Sequence, residues 1–200
     1  MTRIDDVSFD LLFGNARTFP AWLDQPVDAA LLEQIYNVMR MGPTSMNACP
    51  LRIVFVRSTE AKEKLKPLLM AGNVAQTMQA PVTAIFAYDL EFYKKMDRLW
   101  PHSPVNSMYE GKPEFTEQFA FRNATLQAAY FMIVARGLGL DCGPMSGFDN
   151  SKVDAAFLGG TNWRSNFLCN LGYGDKTRLH PRGSSAVVVK KPLSFKESIM

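Results

Sequence analysis

The sequence predicts an α+β domain, on two observations. Stretches at Ile53–Val56, Val82–Asp89 and Ser165–Asp175 are apolar and bounded by Pro, Gly or polar turn residues, as buried strands are. Beside them lie segments with helical character. AALLEQIYNVMRM sets Leu31, Leu32, Ile35, Val38 and Met39 on one stripe behind Asp28, a helix-capping residue. Thr116–Leu138 is the longest helix and is apolar almost all round from Ala128 to Ala135, so it is buried in the protein or in an interface. At 200 residues the chain suits one domain with a full core, and 1–200 is read as a single unit.

The remaining elements follow in order. A first helix is expected at Ser8–Asn15, and Pro20 blocks helix after Arg17 and Thr18. Gly42 and Pro43 stop the Asp28-capped helix. Thr59 is expected to cap the next helix, which Pro67 bends or splits before a short helix at Asn73–Gln79. The stretch from about 90 to 117 is irregular and rich in Pro and aromatics, which suits a lid or arm. Its Tyr93, Trp100, Tyr109 and Phe115 could cover a flat ligand or pack the arm onto the body. Gly137 and Gly139 end the long helix, and Asp149 or Ser151 caps KVDAAFL. Residues from about 180 to 200 form a C-terminal arm, in which 180–189 resembles an extra loop.

Several function classes are disfavoured. Net charge is +3, with no Lys/Arg cluster interleaved with aromatics, so no nucleic-acid partner is expected. Lys62, Lys64 and Lys66 alternate with glutamates and suggest a solvated helix face. Cys49, Cys142 and Cys169 are widely spaced, with only His102 and His180 to assist, so no metal site is expected. A reducing, cytoplasmic setting fits. The N-terminus lacks the apolar core of a signal peptide. No membrane span is expected, because Arg122, Asn123 and Gln127 interrupt the long helix. GLGLDCG follows a helix and is spaced G-x-G-x-x-x-G, which is not a dinucleotide-binding glycine signature.

The chemistry-bearing residues are polar and scattered. Pro43, Thr44, Ser45 and Asn47 form a tight loop of hydrogen-bonding groups beside a rigid strand, which suits a planar polar ligand. Ordinary turn residues are the alternative. Arg17 beside Thr18 can hold a phosphate by charge-assisted bonds, or be a surface arginine near a turn. Asn73 and Gln76 fall one helical turn apart and offer amide donors and acceptors. Pro144, Met145, Ser146 and Gly147 belong to a turn whose glycines let the backbone approach a flat ring. Lys190 and Lys191 are surface charge or a second phosphate anchor. Arg52 and Arg122 could bind an acidic substrate or be ion-paired structurally. No side chain stands out as a nucleophile or general base. A cysteine hydrolase using Cys49 or Cys142 would need a histidine alongside, and neither histidine lies in a motif.

PTSMNACPLRIVFV resembles the P-S-x-x-N-x-Q-P-W segment of the nitroreductase family of FMN-dependent oxidoreductases, with Cys49 in place of Gln and Leu51 in place of Trp. Arg17, Thr18 and Trp22 match its N-terminal basic-hydroxyl-aromatic motif. Asn73 and Gln76 stand at its Asn and Lys flavin contacts. Pro144, Ser146 and Gly147 match its P-x-S-G turn, and Lys190-Lys191-Pro192-Leu193 resembles its terminal basic-basic-P-L motif. The resemblance implies a central mixed sheet flanked by helices and an intertwined homodimer with FMN at the interface. It implies NAD(P)H as co-substrate and a small aldehyde, quinone or nitro acceptor. It also implies that a backbone N–H near Gly147 faces flavin N5. Residues 8–175 look most like the malonic semialdehyde reductase (3-hydroxypropionate dehydrogenase) subgroup, which acts in pyrimidine breakdown. A nitro or quinone reductase, or a flavin-binding protein without turnover, are the alternatives.

Overall fold

The computed structural model describes residues 3–183. Its four strands are β1 (Leu51–Val56), β2 (Val82–Asp89), β3 (Asp141–Met145) and β4 (Trp163–Gly172). They form one sheet in the order β1-β2-β4-β3. All three pairings are antiparallel, with Leu51 opposite Tyr88, Val82 opposite Leu171 and Met145 opposite Leu168. The expected sheet was mixed. Among the described residues the one parallel pairing is an isolated bridge from Thr18 to Cys142.

Every residue of β2 is buried, so both faces of the sheet must be covered. One face carries α2 (Ala29–Met39) and α6 (Pro113–Gly137). Ala128, Phe131 and Ala135 of α6 and Leu32, Ile35 and Met39 of α2 pack there on Ala84, Phe86 and Leu171. The opposite face carries α3 (Thr59–Leu65), α4 (Ala71–Gln79) and α7 (Asn150–Phe157). Leu65, Phe148 and Val153 pack there on Val56, Ile85 and Leu168. The two residue sets alternate along β2 and β4, as the pleat requires. No helix among the described residues is long and apolar enough to cross a membrane.

Local chemistry accounts for the element ends and for several departures from expectation. The first helix, α1 (Asp6–Phe9), starts earlier than Ser8 because Asp5 accepts from Ser8 N at 2.8 Å. It runs into a wider π-type turn at Asp10–Gly14. Phe9, Leu11 and Phe13 remain exposed on this segment. Asp28 caps α2 as expected, accepting from Ala30 N at 2.9 Å. Val38 is exposed and so does not belong to the buried stripe. Ser58, one residue before the expected Thr59, caps α3. Asp149 caps α7. In the 90–117 stretch, α5 (Met96–Leu99) sits between short 3-10 turns. Tyr109 is buried there, with its ring centroid 4.9 Å from Phe92 and 5.1 Å from Phe119, so that ring packs the segment onto α6.

Lys62 is the largest correction. It does not lie on a solvated face: it is buried, and its ammonium donates to Thr77 O at 2.8 Å and Thr83 Oγ1 at 2.6 Å. Lys62 lies three residues before buried Leu65, so both fall on one side of α3. Thr83 donates to Asn170 Oδ1, and Asn170 donates to Thr77 Oγ1, so α3, α4, β2 and β4 share one polar network. Burial lowers the Lys62 amine from 10.5 to about 8. Between those two values the unfolded chain binds more protons than the folded one, so stability rises with pH across that window. Lys62→Met should abolish a rise of about 1.4 kcal/mol per pH unit at most, read by urea denaturation from about pH 8 to pH 10. Parallel curves for the two proteins would show that the lysine stays charged throughout.

Candidate functional site

The sequence-derived site residues fall into two groups. The first lies at the β3 edge. Thr18 bridges to Cys142 of β3, which fixes the Arg17–Trp22 segment beside that strand. Trp22 and Gln79 of α4 exchange two hydrogen bonds, Trp22 N to Gln79 Oε1 and Gln79 Nε2 to Trp22 O. Beyond β3 the chain turns through Ser146 and Gly147. Asn73 donates to Gly147 O at 2.9 Å, and Gln76 donates to Asn73 Oδ1 at 2.8 Å. A β-carbon on Gly147 would stand 2.4 Å from the Asn73 amide nitrogen, so only glycine leaves room for this contact. The Gly147 N–H finds no acceptor among the described residues. Thr77 Oγ1 approaches Met145 Sδ at 3.5 Å and ties this turn to the Lys62 network.

Arg17 is half-buried, and its Nη2 donates to His180 O at 2.6 Å. Arg182 comes to the same segment and donates to Gly14 O at 2.7 Å and Ala16 O at 3.1 Å. Sequence reasoning missed Arg182, because the 180–189 stretch was read as an extra loop. Lys190 and Lys191 lie outside the described residues.

The second group is the loop Pro43–Cys49, which enters β1. Met46, Asn47 and Cys49 all have left-handed backbone, with φ of 50°, 51° and 43°. Each such residue is strained by roughly 1–2 kcal/mol, and such strain concentrates at functional sites. Anchors from α6 hold the loop. Asn123 Oδ1 accepts from Ser45 N at 2.8 Å, and Gln127 Oε1 accepts from Leu51 N at 3.0 Å. Tyr130 donates to Pro43 O at 3.0 Å, and its ring fills the space where a Gly42 side chain would stand. Within the loop, Thr44 Oγ1 accepts from Cys49 N, and Asn47 donates to Leu99 O at 3.0 Å. The loop is less free than its sequence suggests: Thr44 and Asn47 are already engaged. Ser45 is exposed, and its hydroxyl has no hydrogen bond among the described residues.

One chain does not bring these groups together. β1 and β3 are opposite edges of the described sheet, three strand spacings or roughly 14 Å apart. Asn73 lies on a helix covering one face, while the Pro43–Cys49 loop hangs from α6 on the other.

Beside the loop opens a cleft of about 830 Å³ lined by Arg40, Asn47, Arg52, Lys95, Arg98 and Trp163, among others. Arg52 is committed structurally. It pairs with Asp89 at 2.6 Å, donates to Cys49 O and Leu51 O, and stands 5.9 Å over the Trp163 ring. Burial would raise the Asp89 carboxyl, but the Glu91 N–H, Arg52 and Lys95 more than offset this and hold it below its ordinary value. Arg122 is exposed on α6 and does not line this cleft. Among the described residues, no cluster of three or more His, Cys, Asp or Glu could hold a metal ion.

The model of the "Nitroreductase family" matches residues 17–173. The chain therefore belongs to the nitroreductase family. A protein of Burkholderia lata with the provisional name NADH dehydrogenase/NAD(P)H nitroreductase is 54% identical over 182 residues, covering 91% of this chain and 93% of its own. A protein of Stutzerimonas stutzeri with the same provisional name is 52% identical over 179 residues, covering 90% and 91%. Among solved structures, a provisionally named nitroreductase of Exiguobacterium sibiricum in complex with FMN superposes with a TM-score of 0.81 at 17% identity, covering 97% of this chain and 99% of that one. That likeness is one of fold.

The loop's dependence on α6 is testable. Asn123→Ala leaves the Ser45 N–H without its acceptor and should cost about 1–3 kcal/mol in urea denaturation. A change within about 0.5 kcal/mol, typical of neutral surface positions, would mean that water replaces the amide and the anchor is dispensable.

Proposed function

We propose that the chain is an FMN-dependent NAD(P)H oxidoreductase that works as a homodimer. The observation that carries this reading is the Asn73–Gly147 pair: the Gly147 carbonyl is taken by Asn73, and its N–H has no acceptor among the described residues, beside an amide-rich helix face. That donor set fits FMN. Asn73 and Gln76 would hold the cofactor through their amides, and Gly147 would offer it a backbone donor. Thr18, Arg17 and Arg182 supply a hydroxyl and two guanidiniums for the phosphate, with Lys190 and Lys191 as further candidates. FMN, when bound, carries the hydride between the two reactants. The protein's part is then to orient the ring, exclude water and hold the phosphate charge.

The separation of the two residue groups supports the homodimer reading. The Pro43–Cys49 loop of one copy would complete the Asn73–Gly147 half-site of the other. Exposed Phe9, Leu11 and Phe13, together with Val38, supply apolar surface for such an interface. The 90–117 segment would act as a lid or arm beside that site, within a single functional unit over 1–200. The buried, unpaired cysteines suit a cytoplasmic setting.

For the acceptor we favour malonic semialdehyde, giving 3-hydroxypropionate, on the subgroup resemblance of residues 8–175. A nitro or quinone acceptor is the second reading, and the names of the relatives at 52% and 54% identity favour the nitro acceptor. A panel of acceptors in anaerobic stopped-flow separates them, with NADH and NADPH compared as donors.

The purified protein should be yellow, hold one FMN per chain and scatter light as a dimer. A colourless protein that cannot be reconstituted with FMN, or a monomer at micromolar concentration, contradicts the reading. Arg17→Ala combined with Lys190→Ala should weaken FMN at least tenfold, since each charge-assisted bond is worth roughly 1.5–3 kcal/mol. Riboflavin, which lacks the phosphate, should be little affected. Arg182→Ala and Lys191→Ala belong in the same series. Equal weakening of FMN and riboflavin would make the loss structural.

A further inference from the structure

We propose that the cleft beside the Pro43–Cys49 loop is an anion site, receiving a carboxylate or phosphate of one reactant between Arg40 and Arg98. This rests on the reading of the chain as a flavin oxidoreductase, because it is that reading which makes the loop part of the reaction site. Four cations line the cleft: Arg40, Arg52, Lys95 and Arg98. The carboxylate behind them, Asp89, is already matched by Arg52 at 2.6 Å and Lys95 at 3.1 Å. Arg40 and Arg98 have neither a carboxylate within 4.0 Å nor a side-chain hydrogen bond among the described residues. Exposed positive charge in excess of its counter-charge thus borders one concave space and raises the local potential for an anion there.

The cleft also carries an aromatic wall. The Trp163 ring forms part of its wall and carries the Arg52 guanidinium at 5.9 Å. Asn47 closes the loop side and is held to Leu99 O, so Arg98 on α5 and the strained loop are tied into one rim. A conjugated ring bearing an acidic substituent suits this lining, the ring at the edge of the Arg52–Trp163 stack and the oxyanion against a guanidinium fork. An acceptor's carboxylate and a dinucleotide's phosphate share this chemistry.

The test measures equilibrium binding by calorimetry to the protein as purified and to the Arg40→Ala/Arg98→Ala double variant. The ligands are 4-nitrobenzoate, its uncharged counterpart 4-nitrobenzamide, NADP⁺ and NAD⁺. A carboxylate source predicts at least about tenfold weaker nitrobenzoate binding with nitrobenzamide nearly unchanged, as expected on losing charge-assisted contacts. A phosphate source predicts the same loss for NADP⁺ with nitrobenzoate unchanged, and it supports the site equally. Affinities that stay the same, or that fall alike for charged and uncharged ligands, overturn the anion site. Flavin content is read on the same samples. Absent flavin sinks the oxidoreductase reading, whereas retained flavin with charge-blind affinities sinks the anion site alone.

Discussion

The burial of every residue in β2 governs the rest of the architecture. A strand wet on neither face needs a neighbour on each side and a helical layer above and below. β1 and β4 supply the neighbours, α2 and α6 one layer, and α3, α4 and α7 the other. This arrangement sends the polar loops to different surfaces. The loop before β1 is anchored on the α6 side, and the turn after β3 on the α4 side. In one chain the two polar groups therefore lie on separate surfaces, and the two-copy proposal rests on that separation.

Helix α6 shows how one element serves core and site together. Its sheet-facing positions are small or apolar, so it packs close against β1 and β2. Asn123 and Gln127 break that face one turn apart, and each meets a backbone N–H of the entering chain. Without those acceptors, the N–H groups of Ser45 in the loop and Leu51 at the start of β1 would have to find other partners. The same amides determine where Ser45 can stand, so packing and site geometry are set by one pair of side chains.

Much of this was legible in the sequence where short-range chemistry decides. Asp28 and Asp149 cap helices because a carboxylate can reach only the next turn's N–H groups. Helical spacing put Asn73 and Gln76 on one face of a short helix, as in α4, but the turn read over Pro144–Gly147 is narrower: Pro144 and Met145 pair with Cys169 and Leu168 in β3, and only Ser146 and Gly147 lie beyond it. The unread parts depend on long-range packing. Lys62 alternates with glutamates and so resembles a wet face, yet its three-residue offset from Leu65 was the signal that it points inward. Asn123 and Gln127 were read as interruptions of an apolar helix, when two amides one turn apart on such a face also signal buried backbone to be capped. No residue pattern announces three left-handed positions at Met46, Asn47 and Cys49, since none is a glycine and the conformation is imposed from outside.

That imposed conformation has a physical consequence for the site. Three left-handed residues cost a few kcal/mol together, a large share of a domain's net stability of about 5–15 kcal/mol. The loop keeps them because the anchors from Asn123, Gln127 and Tyr130, with the internal Thr44–Cys49 bond, leave few other arrangements open. Most of its polar groups are spent on holding its own shape, and Ser45 is left exposed at the surface. A loop restrained in advance gives up little conformational freedom when it meets a ligand or a second copy, so more of the contact energy appears as affinity. The strain is thus the counterpart of a rim that is already shaped before anything binds.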